Sequence, residues 1–238
     1  MIQHHEHLYR DLAHPLKLLS RRSSDTALAK FWHYSRSESQ SSEEHSRMET
    51  YSELMRDTQS LVADEILSSY SFNQHKSVLD VGGGDGRFLR AVHARAPELN
   101  LSLLELPTVA KLATAQLQEH DISATVHEGD MFESVWPQGA DLICLVRVAL
   151  DHDDEAVAKL FSRARQALPP EGVLLVAEPM SDSPKVGHAY FGMYLWAMGS
   201  GRARKSQELS DMLGKAGFSR VDQLKTGLPD LVRIIKAT

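Results

Sequence analysis

From Ser77 onward the chain alternates short, nearly continuous apolar runs with amphipathic ones. The runs SVLDVG (77–82), LSLLEL (101–106), ISATVHEGD (122–130), ADLICLVRV (140–148) and GVLLVAEP (172–179) are rich in β-forming residues. RFLRAVHARA (87–96), TVAKLATAQLQ (108–118) and EAVAKLFSRARQAL (155–168) carry helical spacing between them. Strands joined by crossover helices predict an α/β fold with a doubly wound, mostly parallel sheet. The stretches LICLV and VLLVA have no polar alternation, so both faces of those strands are covered. After a further helix, SQELSDMLGKAGF (206–218), the runs SRVDQLKT and DLVRIIKA flank the turn residues GLPD (227–230). They predict a C-terminal antiparallel hairpin.

Residues 1–76 read differently, as an N-terminal helical segment ahead of a sheet domain spanning 77–238. A polar insert, SRSESQSSEEHS (35–46), interrupts it. Beyond the insert, Tyr51, Leu54, Met55, Leu61 and Ile66 recur at helical spacing, the pattern of a helix packed on the sheet. Tyr51 and Met55 are also candidates to line a pocket. The cluster HHEH at 4–7 is read as an exposed tail, and no metal site is assigned.

Composition narrows the function classes. The formal charge of −6 disfavours a phosphate backbone as partner, so nucleic acid is not expected. The single cysteine, Cys144, lies inside an apolar run and reads as a small buried hydrophobe, which suits a reducing cytoplasm. No run reaches the roughly eighteen apolar residues of a membrane span.

The candidate chemistry lies after successive strands, where parallel sheets expose their carboxyl ends. VLDVGGGDGRFL places Gly82, Gly84 and Gly86 between the first strand and a helix, with Asp80 two residues before Gly82. Glycines there let a ligand approach the backbone near a helix N-terminus. The dinucleotide pattern GxGxxG requires glycine where Arg87 stands, which disfavours a nicotinamide dehydrogenase. The spacing suits a nucleoside without a pyrophosphate. Glu105, closing the second strand, matches an acid that accepts ribose hydroxyls. In GDMF (129–132), Asp130 is suited to an exocyclic amine, while Met131 and Phe132 offer apolar faces to a purine or simply pack in the core. RVALDHDDE (147–155) follows the fourth strand.

Together, LDVGGGDG, LELP, GDMF, RVALDHDDE and AEPM resemble the class I methyltransferases that use S-adenosylmethionine (SAM). Within them they resemble the small-molecule O-methyltransferases of the caffeate and hydroxyneurosporene type. The segment AYFGMYLWAMGSGRARKSQELSDMLGKAGF is most similar to the bacterial carotenoid branch. The resemblance runs from about residue 8 to the end. It implies a Rossmann-like fold and an enzyme that methylates a hydroxyl of an apolar, carotenoid-like molecule. It also implies a cofactor site of Asp80, Gly82, Gly84, Gly86, Glu105, Leu106, Asp130, Met131, Phe132 and Arg147. Aromatic, quinone or chlorin acceptors, with transfer to oxygen or carbon, are the enzyme alternatives; a non-catalytic SAM-binding homologue is the other.

The resemblance also exposes departures. The family's histidine base falls at Leu150, and one of its two flanking glutamates falls near Ala203; the other matches Glu178. The catalytic candidates are therefore His152, Asp151 and Glu178. In one account His152 is the base, oriented by Asp151. In the other, Asp151 or Asp153 caps the following helix and His152 stands beside the adenine. A tertiary aliphatic hydroxyl is too weakly acidic for imidazole to ionise, so proton loss accompanies or follows methyl transfer, with Glu178 as receiver. The acceptor pocket is assigned to Met180, Phe191, Tyr194, Trp196 and Met198, opposite Tyr51 and Met55. Relatives carry a further helical dimerisation region before the catalytic domain. Residues 1–76 are read as its remnant, so the implied homodimer lacks its main element, and membrane contact is at most peripheral, through the substrate.

Overall fold

The computed structural model describes residues 2–20, 26–30, 59–182 and 186–238; for residues 2–6, 17, 20 and 186–191 it describes the backbone alone. Tyr51 and Met55 lie outside the described residues, as does the Phe191 side chain.

Seven strands among the described residues form one sheet: β1 (Ser77–Val81), β2 (Asn100–Glu105), β3 (Ala124–Glu128), β4 (Leu142–Val146), β5 (Val173–Glu178), β6 (Val221–Leu224) and β7 (Arg233–Ala237). Their order is β3-β2-β1-β4-β5-β7-β6. Neighbours from β3 to β5 pair in parallel, and β7 lies antiparallel between β5 and β6. The chain order reverses direction between β1 and β4, the switch point where a crevice opens at the carboxyl ends of the strands. The expected terminal hairpin is present, with its second strand inserted beside β5.

Both faces of the central strands are covered, as their unbroken apolar sequences require. In β4, Leu142, Cys144 and Val146 join one core cluster while Ile143 and Leu145 join the other. The first cluster takes Phe88, Leu89 and Val92 from helix Arg87–Arg95 and Ala113 and Leu117 from helix Pro107–Glu119. It also takes Val62, Ala63 and Ile66 from a helical stretch at 59–69. The second takes Val157, Leu160 and Phe161 from helix Asp154–Ala167 and Leu209 and Leu213 from helix Ser206–Lys215.

A third, smaller cluster joins Leu8, Leu18 and Leu28 of the N-terminal segment to Leu195, Ala197 and Met198 of helix Val186–Met198. Polar bonds fix this union. Asp11 accepts the amides of Ala27 and Leu28 at 2.8 and 3.0 Å, and the Trp196 indole N–H donates to the Leu18 carbonyl at 2.7 Å. Leu150, from the turn after β4, belongs to the same cluster.

Phe88 is fully buried and meets Phe72 edge-on at 6.0 Å, bridging the helix after β1 to the segment before it. Phe88→Ala should cost about 3–5 kcal/mol. The expected result is a lower urea midpoint with an unchanged slope.

Candidate functional site

A cavity of about 320 Å³ opens at the carboxyl ends of β1 to β4, within the size range of small-molecule sites. Its walls bring together ten of the residues singled out in the sequence: Gly82, Gly84, Glu105, Leu106, Asp130, Met131, Phe132, Arg147, Asp151 and His152.

The glycine loop leaves β1 with Gly82, Gly84 and Gly86 at positive φ, a region that side chains disfavour. The Gly82 amide bonds the Leu104 carbonyl at 2.9 Å, tying the loop to the end of β2. Glu105 completes that tie. Its carboxylate accepts the Gly84 amide at 3.0 Å and the Leu106 amide at 2.8 Å, so the acid is fixed in the cavity wall by backbone donors. Gly86 is buried against Leu117 and serves helix packing outside the wall.

Asp80 is also placed outside the wall. It is fully buried beneath Gly83, so close that a side chain on Gly83 would meet its Oδ2 at 2.0 Å. Neither Asp80 oxygen has a hydrogen-bond partner among the described residues. Burial, reinforced by the nearby Glu105 charge, pushes its carboxyl up to about 8.

After β3, the Asp130 carboxylate accepts the Phe132 amide at 2.7 Å, and the Trp136 indole N–H holds the Met131 carbonyl at 2.8 Å. These bonds turn Met131 and Phe132 into the cavity wall. The His152 ring lies edge-on to Phe132, with centroids 4.9 Å apart. It is 8% exposed, a wall residue beside the apolar face. Arg147 takes a left-handed backbone (φ 58°), and its amide bonds the Ala177 carbonyl at 2.8 Å as β4 ends.

The expected cap on the next helix is absent in that form. Asp153 is the N-cap residue of Asp154–Ala167 but makes no side-chain cap; its carboxylate accepts the Gly201 amide at 3.3 Å instead. The local capping tendency of aspartate yields here to a contact distant in sequence.

Glu178, at the end of β5, is fully buried behind the cavity. Its Oε2 accepts the Leu150 amide at 2.9 Å, while Oε1 has no partner among the described residues. Burial raises its carboxyl to about 8, against the opposing pull of Arg204 and the Leu150 amide. Leu150 is 2% exposed, and its side chain points into the third cluster, away from any proton-transfer role.

The acceptor candidates among the described residues do not line this cavity. Met180 packs in the second cluster, with the Ser206 hydroxyl on its sulfur at 3.3 Å. Tyr194, Trp196 and Met198 pack in the third. Sequence reading also left functional positions unassigned. Gln59 and Arg87 line the cavity, and the Arg87 Nε is buried without a hydrogen-bond partner among the described residues. The fully buried Arg204 bonds the turn after β4. Arg87 carried a signal, since it occupies the position that breaks GxGxxG.

Asp80 gives the fold a signed pH dependence. A carboxyl near 8 when folded and near 4 when unfolded takes up a proton on folding between those values. Its contribution is fully present below about pH 4 and is lost as pH rises through about 8. Asp80→Asn removes that loss. Thermal unfolding without ligand should show the variant a few degrees more stable than the parent at pH 8, with the gap closing toward pH 4.

The O-methyltransferase domain family matches residues 19–219. Over 240 residues the chain is 40% identical to a demethylspheroidene O-methyltransferase of Rhodobacter capsulatus, covering 100% of this chain and 60% of that one. It is 38% identical over 226 residues to the demethylspheroidene O-methyltransferase of Cereibacter sphaeroides, covering 93% and 59%. The chain thus spans about 60% of the length of these relatives. The solved mitomycin 7-O-methyltransferase MmcR superposes with a TM-score of 0.82 at 25% identity, covering 98% of this chain and 68% of that one. A family pattern running through all the parallel strands and the cavity they carry makes this chain a member of the O-methyltransferase domain family.

Proposed function

We propose that the chain binds SAM in the cavity at the ends of β1 to β4 and transfers its methyl group to a hydroxyl of an apolar, carotenoid-like molecule. The observation that carries this reading is the junction of glycine loop and ribose acid, with the Gly84 and Leu106 amides on Glu105. The cavity fits the cofactor's parts. Glu105 suits the ribose hydroxyls, Asp130 the adenine amine, and Met131 and Phe132 the purine faces. The Arg87 guanidinium, which lines the cavity and whose Nε has no hydrogen-bond partner among the described residues, suits the carboxylate of the amino-acid end.

Bound there, SAM supplies a methyl group on a sulfonium sulfur. The residues' work is to hold the acceptor oxygen in line with it and to exclude water. Transfer to a hydroxyl would release the thioether and the hydroxyl proton, and the chain must supply a receiver for that proton. Glu178 receives that proton on Oε1 in this reading, and His152 stays in the wall against Phe132. Leu150 supports an apolar acceptor, since it puts a buried alkyl side chain at the position where the resemblance to the broader family implies a histidine base. The carotenoid assignment draws on the 40% identity to a demethylspheroidene O-methyltransferase. A membrane-associated substrate needs no spanning segment, and no helix among the described residues is long and apolar enough to span.

Leu150 also favours a second reading, a SAM-binding homologue without turnover. Calorimetry with S-adenosylhomocysteine (SAH) and labelling with methyl-tritiated SAM separate the two. The expected outcome is SAH binding, weakened about tenfold or more in Glu105→Ala, and label transferred to a tertiary-hydroxyl carotenoid in detergent micelles. Label appearing only in phenols would overturn the acceptor, and binding without turnover on any acceptor would favour the second reading. Turnover should rise with pH through about 8 as Glu178 ionises, and Glu178→Gln should remove that rise.

A further inference from the structure

The turn after β4 contributes Asp151 and His152 to the cavity wall and the Leu150 amide to Glu178. Two weak local bonds, from the Asp151 amide to the Val148 carbonyl at 3.2 Å and from the His152 amide to the Ala149 carbonyl at 3.3 Å, are only part of what holds this turn. Residues 149–151 form a single 3-10 turn, and the next helix lacks a side-chain cap from Asp153. Further bonds come from residues 200–204, some fifty positions later. The Ser200 hydroxyl donates to the Asp151 carbonyl at 3.1 Å, and the Gly201 amide donates to Asp153. Gly201 sits so close that a Cβ there would stand 2.2 Å from the Leu150 carbonyl.

Arg204 is the centre of this arrangement. Its side chain is 0% exposed, yet its guanidinium is satisfied on three sides. Nη1 donates to the Ala149 carbonyl at 2.9 Å, Nη2 to the His152 carbonyl at 2.7 Å, and Nε to the Asp154 carboxylate at 2.9 Å. A charge enclosed this fully persists only when its donors are matched, and a planar fork matches two carbonyls and a carboxylate where an ammonium cannot. The two carbonyls bracket the turn at its start and end. The clamp also reaches the other side of the site, because residues 200–204 follow directly on helix Val186–Met198, whose Leu195, Ala197 and Met198 pack around Leu150.

We propose that Arg204 is the positioning residue of the cavity wall: it sets the 149–154 turn, and through it the places of Asp151 and His152 and the Leu150 amide on Glu178. Cofactor binding and proton acceptance both depend on one guanidinium that touches neither ligand. The binding half is independent of the acceptor; the proton half rests on the reading of Glu178 given above.

Arg204→Lys keeps the charge and loses the fork, Arg204→Gln loses both, and Gly201→Ala displaces the same turn with Arg204 intact. SAH affinity is measured by calorimetry below the melting point of each variant, where a loss of stability alone has no effect. Leu213→Ala, a buried core residue away from the turn, serves as the control. All three turn variants should bind SAH about tenfold or more weakly, the control within about twofold of the parent. SAH affinity within about twofold in both Arg204→Lys and Gly201→Ala would overturn the proposal, even if Arg204→Gln fails to fold. In turnover with the tertiary-hydroxyl carotenoid, Arg204→Gln should move the rise with pH to higher values and Arg204→Lys should leave its position unchanged. A pH profile identical in parent and Glu178→Gln would remove the Glu178 reading while the affinities still decide the clamp.

Discussion

A strand covered on both faces has only its ends left for chemistry, and this constraint organises the molecule. Burying Leu142 to Val146 and Val173 to Glu178 completely requires helices above and below, which leaves the loops at the carboxyl ends as the place where backbone donors meet solvent. Most of the cavity wall follows from it, with Gln59 added from the helical stretch at 59–69. The glycine loop, the acid closing β2, the turn after β3 and the turn after β4 are adjacent because their strands are adjacent.

Enclosure on that scale makes polar groups near the site costly, and three buried ionisable side chains meet the cost differently. Arg204 is fully matched by carbonyls and a carboxylate and acts as a fastening. Glu178 is half matched, by the Leu150 amide, and its second oxygen remains without a partner among the described residues. Asp80 is unmatched on both oxygens among the described residues, beneath the glycine loop that Glu105 braces. The contrast separates a structural cation from acids that respond to pH, because burial without enough matching donors pushes both carboxyls up to about 8.

Much of the site was legible in the residues because it depends on local chemistry at strand ends. Glycines after β1, Glu105 after β2 and GDMF after β3 are short motifs whose geometry is set within a few residues, and all of them reach the cavity apart from Gly86. The acceptor side was less legible. Tyr194, Trp196 and Met198 form an aromatic and thioether stretch that suits either a pocket or a core, and only the positions of Leu8, Leu18 and Leu28 reveal the packing they make. Helical spacing reports that a face is buried without reporting what covers it.

The sequence by itself determined the layered α/β architecture, the antiparallel end and the order of the motifs that line the cavity, since continuous apolar runs and punctuating glycines act through local propensity and burial. Only the tertiary structure decided how the turn after β4 is held. Read along the chain, RVALDHDDE suggests a histidine among acids that cap a helix or take a proton. Folded, it is a turn whose Leu150 faces an apolar cluster, whose His152 lies against Phe132, and whose carbonyls are gripped by Arg204 from about fifty residues away. No local pattern encodes that grip, because a buried guanidinium is worth its desolvation only where three separate acceptors have already been brought together.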